Sequence, residues 1–203
     1  MFVSFEGIDG SGKSTQARRL ADALREKGHE VVLTREPGGS PGAEEIRKLV
    51  LEGDPERWSP ETELLLFTAA RRDHLERLIL PALAAGQSVS CDRFADSTRV
   101  YQGLRGPDLR QKVDMLLDLM FVREPDLTVL VDMDPEVGLA RALGRQGTEE
   151  RFEQFGADLQ AQMRAGFLDL AQAAPKRYVV VDGARTEDTV AREIESIVTS
   201  RLT

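Results

Sequence analysis

Eight residues near the start of the chain carry chemistry in their spacing. Gly7-Ile8-Asp9-Gly10-Ser11-Gly12-Lys13-Ser14 fits G-x-x-x-x-G-K-[ST], the pattern of a loop that wraps a polyphosphate. Its glycines let the backbone curl until successive N–H groups face one concavity, and the helix expected to follow adds partial positive charge there. Lys13 would reach the outer phosphates as a point charge, and the Ser14 hydroxyl would hold the Mg²⁺ that accompanies them. Gly7, Ile8, Asp9, Gly10, Ser11, Gly12, Lys13, Ser14 and Thr15 are therefore the expected nucleoside-triphosphate site.

Other chemistry-bearing residues fall where expected strands end. Arg35 and Glu36 open the loop Arg35–Gly42 after strand two, and loops at the C-terminal ends of parallel strands are where α/β proteins place ligands. Asp92-Arg93-Phe94 follows strand three. An acid at the tip of a buried strand facing a phosphate loop is the usual outer partner of Mg²⁺. Asp132 and Asp134 end strand four and could bind metal, or Asp134, just before Pro135, could cap a helix. The stretch Gly144 to Arg151 has the composition of a mobile flap over phosphates and equally of an exposed loop. His29 and His74 lie far in sequence from any base partner and read as surface residues.

These residues need elements to hold them, and the hydrophobic pattern supplies them. Phe2–Glu6, Val31–Thr34, Ser88–Cys91, Leu127–Val131 and Tyr178–Val181 read as strands. Helical stretches lie between and after them: Lys13–Lys27 with Gly28 as its stop, Ala43–Leu51, and a long helix opened by the cap Ser59 and Pro60 and running to about Ile79. Asp96–Leu104, Asp108–Val122, Glu136–Leu143, Phe152–Ala173 and Glu187–Leu202 follow. Strands alternating with helices over connections of ten residues or more demand parallel, right-handed crossovers. The expected fold is a three-layer α/β sandwich on a five-stranded parallel sheet, with residues 1–203 as one domain and a flap at about 144–151.

Composition narrows the function classes. Of the 203 residues 41% are hydrophobic and 31% charged, which suits a soluble globular protein, and no apolar run is long enough to span a bilayer. The start shows no secretory signal, so the cytoplasm is the expected place. A formal charge of −8 argues against nucleic acid as a partner. The lone Cys91 reads as a small buried hydrophobe rather than a reactive thiol. A signalling GTPase needs an N-K-x-D motif, and the chain contains no asparagine. A small-molecule kinase needs a second anionic pocket, arginines to hold the acceptor and a flap; the strand ends offer candidates for all three.

Five segments, in order, resemble bacterial thymidylate kinases: Phe5 to Thr15, Thr34-Arg35-Glu36-Pro37-Gly38-Gly39, Leu66-Phe67-Thr68-Ala69-Ala70-Arg71, Asp92-Arg93-Phe94 with Ser97-Thr98 and Tyr101-Gln102-Gly103, and Pro125-Asp126-Leu127-Thr128. The resemblance implies a P-loop nucleoside monophosphate kinase fold, transfer of the γ-phosphoryl group of ATP to dTMP in dTTP biosynthesis, Mg²⁺ as cofactor, and a homodimer. It implies that Asp9 meets the 3′-hydroxyl of dTMP and that Glu36 sits near the deoxyribose. Phe67 would stack on thymine, Arg71 would donate to a base carbonyl, and Thr98 and Gln102 would read polar groups of the base. Arg93 would clamp the dTMP phosphate, Tyr101 would lie under the sugar, and Asp92 would join Ser14 at the metal. Catalytic charge would come from Lys13, Arg93, Asp9 and the flap residues Arg145 and Arg151, with Arg141 behind them. Two alternatives are a P-loop deoxynucleoside kinase, with Glu36 as base, and a nucleotide-dependent switch or partition ATPase.

Overall fold

A computed structural model describes residues 1–54, 56–106, 108–120, 123–144 and 156–202. Five strands, β1 (Phe2–Glu6), β2 (Val31–Arg35), β3 (Ser88–Asp92), β4 (Leu127–Asp132) and β5 (Tyr178–Asp182), form one parallel sheet in the order β2-β3-β1-β4-β5. β1 is central and wholly buried, as its apolar run anticipates for a strand covered on both faces. The order turns around at β1, so the residues after β1 and β3 emerge side by side; such a switch point opens a crevice for ligands.

The alternation of side chains across the sheet separates two cores. Val3 and Phe5 of β1 join Val129, Val131 and Val181 against α1 (Lys13–Glu26) and α9 (Glu187–Leu202). Phe2 points the other way, into a cluster with Leu64, Leu75, Ile79 and Val113. That cluster belongs to α3 (Pro60–His74), the turn that follows it, α5 (Ala95–Tyr101) and α6 (Leu109–Met120). A third cluster, around Ile8, Tyr101, Met163 and Phe167, seats α8 (Gly156–Ala173) on the same side. The three layers are as expected.

Helix ends follow local chemistry. Gly28, at φ +87°, lets the chain leave α1 while its N–H and that of His29 satisfy the carbonyls of Arg25 and Leu24. Ser59 caps α3 by accepting from Thr62 N at 3.2 Å. α3 does not run to Ile79: Leu75–Ile79 forms a π turn leading into the short α4 (Leu80–Ala84). Pro81 has no N–H for the Arg77 carbonyl and its ring crowds that carbonyl, so the ladder widens just before it. The remaining helices are α2 (Pro41–Leu51) and α7 (Pro135–Leu143).

Candidate active site

The phosphate loop leaves β1 and enters α1 through Gly12, at φ +98°. Lys13 folds back over the loop, donating from Nζ to Ile8 O at 2.8 Å and lying 3.8 Å from Asp9 Oδ1. Burial and the neighbouring Arg93 charge push the Lys13 ammonium down to about 8, against the pull of Asp9 and Asp92. A cradle of amides with a buried lysine folded over it suits a polyanion, which is what a triphosphate supplies.

Arg93 enters from β3. It is the described non-glycine residue with positive φ, at 68°, a conformation that an ordinary side chain adopts only where its surroundings hold it. They do so here. Its Nη1 donates to Gly7 O at 3.3 Å and Ser97 Oγ at 3.0 Å, and its Nη2 donates to Tyr101 OH at 3.0 Å and to the Asp9 carboxylate. Tyr101 in turn donates to Asp9 Oδ2 at 3.1 Å, and its ring lies 4.8 Å from the guanidinium carbon. Burial would raise the Asp9 carboxyl, yet Arg93 and Lys13 hold it below the ordinary carboxylate range. This explains a carboxylate inside an anion-binding loop: it carries the arginine brought in by the neighbouring strand.

Behind Arg93 stands Glu6, fully buried, which accepts from Phe94 N at 2.8 Å and from Ser97 Oγ at 2.6 Å. Burial and then the charge of Asp96 push its carboxyl up to about 7. Sequence reading passed Glu6 over, because an acid ending a strand before a glycine loop reads as an ordinary strand end.

On the far side of the pocket Arg71 is 3% exposed. Its Nε donates to Glu36 Oε2, and its Nη2 donates to Thr98 Oγ1 at 2.9 Å and Phe94 O at 3.1 Å. Gln102 Nε2 donates to the buried Glu63 Oε1 at 3.1 Å, which fixes its amide. His74 is not a surface residue. It is fully buried, with Nδ1 3.0 Å from Glu36 Oε1 and Nε2 2.8 Å from Thr34 Oγ1. Its partners lie 38 and 40 residues away, a pairing that neighbours in sequence cannot disclose.

One cavity of about 470 Å³ gathers most of the expected site residues. Asp9, Gly10, Gly12, Lys13 and Ser14 form one wall; Asp92 and Arg93 lie beside them, and Glu36, Phe67, Arg71, Thr98, Tyr101 and Gln102 line the remainder. Pro37, Arg47, Leu51 and Ser97 also line it. Gly10, Ser11 and Thr15 face a second cavity of about 480 Å³, together with Arg141 and the loop from Gly183 to Glu187 after β5. The rule that ligands gather at the C-terminal ends of strands pointed to that loop too, but its residues carry no motif. Gly7 and Ile8 serve from beneath: the Gly7 carbonyl takes Arg93, and Ile8 is packed into the core. Arg145 and Arg151, with the rest of the expected flap from 145 on, lie outside the described residues.

Asp134 turns out to be a cap, accepting from Glu136 N at 3.0 Å, and Asp132 pairs with Arg164 through two bonds of 2.7 Å. Asp92 differs. Its Oδ1 is buried without a hydrogen-bond partner, and it looks onto the cavity between Lys13 and Arg93.

Comparison with known proteins agrees with this geometry. Residues 5–194 match the family model described as thymidylate kinase. The chain is 71% identical over 202 residues to the thymidylate kinase of Ruegeria pomeroyi, covering all of this chain and 96% of that protein. It belongs to the thymidylate kinase family. The thymidylate kinase of Caulobacter vibrioides is 51% identical over 202 residues, covering 99% of this chain and 97% of that one. The crystal structure of the thymidylate kinase from Ehrlichia chaffeensis superposes with a TM-score of 0.78 at 36% identity, covering 98% of each chain. In this family member the nucleoside monophosphate kinase fold thus brings the expected acceptor residues to one cavity beside the phosphate loop.

Proposed function

We infer that this chain transfers the γ-phosphoryl group of ATP to dTMP, giving ADP and dTDP. The observation that carries the reading is the single cavity in which Lys13 and the phosphate loop face Arg93, Arg71 and Phe67. A donor triphosphate laid along the loop amides and a monophosphate held by Arg93 would meet in it. The acceptor oxygen belongs to a phosphate that is already ionised, so no general base is needed. Catalysis is then alignment plus cancellation of charge between two polyanions, by Lys13 and Arg93. Phe67 offers a face for the pyrimidine, Arg71 and Gln102 offer donors for its polar edge, and Tyr101 with Asp9 lies where the deoxyribose would rest. Glu36 makes a poor base for a free 5′-hydroxyl, because Arg71 and His74 already occupy its two oxygens.

The orphaned Asp92 oxygen and the Ser14 hydroxyl fit Mg²⁺ arriving with the triphosphate. They would hold it through its waters and directly, respectively. When bound, the ion would neutralise charge on the transferring phosphates. Phosphate oxygens of the nucleotide would complete its shell.

Leu65 of α3 and Met115 and Leu119 of α6 are 57, 65 and 74% exposed on helices that pack together. Such large apolar side chains favour cover by a second copy, and a homodimer is the proposed assembly. No helix among the described residues is long and apolar enough to cross a membrane; with a lone buried cysteine, the proposed location is the cytoplasm.

The test is ADP release with ATP, Mg²⁺ and a panel of acceptors. dTMP should be preferred over other monophosphates and over thymidine. Preference for thymidine would indicate a deoxynucleoside kinase, and hydrolysis indifferent to any monophosphate would indicate a switch or partition ATPase.

A further inference from the structure

The acceptor pocket has a buried support behind two of its lining residues, Glu36 and Arg71. Thr34, His74, Glu36 and Arg71 form one chain of contacts: Thr34 Oγ1 to His74 Nε2 at 2.8 Å, His74 Nδ1 to Glu36 Oε1 at 3.0 Å, and Glu36 Oε2 to Arg71 Nε. All four side chains are at least nine-tenths buried, and His74, at 0% exposure, does not reach the cavity that Glu36 and Arg71 line. An ionised carboxylate only accepts, so the proton of the inner bond sits on Nδ1; in the neutral imidazole Nε2 then accepts from the Thr34 hydroxyl.

The surrounding backbone is built around that imidazole. Gly39, at φ +90°, lies so close that a Cβ there would stand 2.4 Å from both His74 Nε2 and Thr34 Oγ1. The adjacent Asp73 accepts from Ser40 Oγ at 2.6 Å and from Ala43 N at 3.2 Å, fastening the other end of the same loop to α3. Two consecutive residues at the end of α3 therefore hold the segment between β2 and α2.

We propose that His74 is a positioning residue for the acceptor nucleotide: it holds the Glu36 carboxylate in the one orientation that turns the Arg71 guanidinium toward the nucleobase. The inference rests on the proposed dTMP kinase reading. Without the Nδ1 donor, Glu36 Oε1 is left buried and under-satisfied, and the carboxylate can rotate off Arg71. The effect should fall on the acceptor and spare the donor nucleotide, because the phosphate loop is held by Lys13 and Arg93.

Two near-isosteric substitutions separate the roles of the ring nitrogens. The amide of His74→Asn can place a donor where Nδ1 was, whereas His74→Gln places its amide near the Nε2 position and withdraws the donor from Glu36. Steady-state KM for dTMP and for ATP, kcat and thermal midpoints should be measured for both and for Thr34→Val. His74→Gln should raise KM for dTMP about tenfold with KM for ATP nearly unchanged, and His74→Asn should recover most of that loss. Thr34→Val, which keeps Glu36 paired but frees the ring, should raise KM for dTMP about threefold. Equal KM values for dTMP in the Asn and Gln variants, or parallel rises for both nucleotides, would reduce His74 to a packing residue. If neither His74 variant folds, an unaltered KM for dTMP in Thr34→Val has the same meaning. Failure of the unaltered enzyme to phosphorylate dTMP would instead overturn the functional reading.

Discussion

The Arg93 guanidinium donates to the Asp9 carboxylate, joining the tip of β3 to the phosphate loop across 84 positions of sequence. The contact puts the residue expected to hold the acceptor phosphate against the loop expected to hold the donor, so this pair, with the bonds of Arg93 to Gly7 O, Ser97 and Tyr101, would set the separation between the two phosphates. Arg93→Ala should therefore lose about a hundredfold to a thousandfold in kcat/KM for dTMP, with far-ultraviolet circular dichroism unchanged. Near-normal kinetics with dTMP would remove Arg93 from the reaction.

Nucleotide binding should take up a proton. Lys13 is held down to about 8 by burial and Arg93, below its ordinary 10.5, so the folded chain without ligand is most stable, as far as this group is concerned, above pH 10.5. It loses that contribution as pH falls through 10.5 toward 8, because the unfolded chain takes the proton first. A triphosphate restores the charge. At pH 8 binding of ADP or ATP should absorb up to about half a proton, measured by calorimetric titration in buffers of different ionisation enthalpy. The same enthalpy in every buffer would contradict the assignment.

Glu6 gives a pH dependence of the opposite slope. Burial first, and then Asp96, lift it from 4.5 to about 7, so between those values the folded state holds a proton that the unfolded state has lost. Stability from this group is full below pH 4.5 and is lost as pH rises through 7. The difference is on the order of 3 kcal/mol. Glu6→Gln keeps an acceptor for Phe94 N and a partner for Ser97, and should flatten the fall in thermal midpoint between pH 5 and pH 8. An unchanged fall would locate the dependence elsewhere.

The loop is also clamped from above. A Cβ on Gly10, at φ +76°, would lie 1.9 Å from the carbonyl oxygen of Gly138 in α7, and one on Gly138 would lie 2.8 Å from the carbonyl oxygen of Asp9. Gly10→Ala should lower stability by about 1 to 3 kcal/mol and raise KM for ATP, read by thermal melting and initial rates. Full stability with normal KM would show that α7 yields at no cost.

What could be read from the residues was whatever is local. The phosphate loop is a run of backbone conformations and hydrogen-bond donors set by glycines at fixed spacing, so Gly7 to Thr15 could be placed from the sequence alone. Alternating apolar strands and amphipathic helices likewise determined a parallel sheet in three layers, because crossovers of that length leave few other packings. The five segments shared with the thymidylate kinases then named the expected acceptor residues, and these line the cavity. Tertiary structure alone decided who meets whom. It set β1 between β3 and β4, which brought Arg93 to Asp9 and Glu6 under Ser97. It drew His74, which reads as a surface residue, into the interior beside Glu36, and ended α3 at a π turn before Pro81. Such pairings depend on contacts between distant segments, whose geometry exists only once the sheet has assembled and expelled its water.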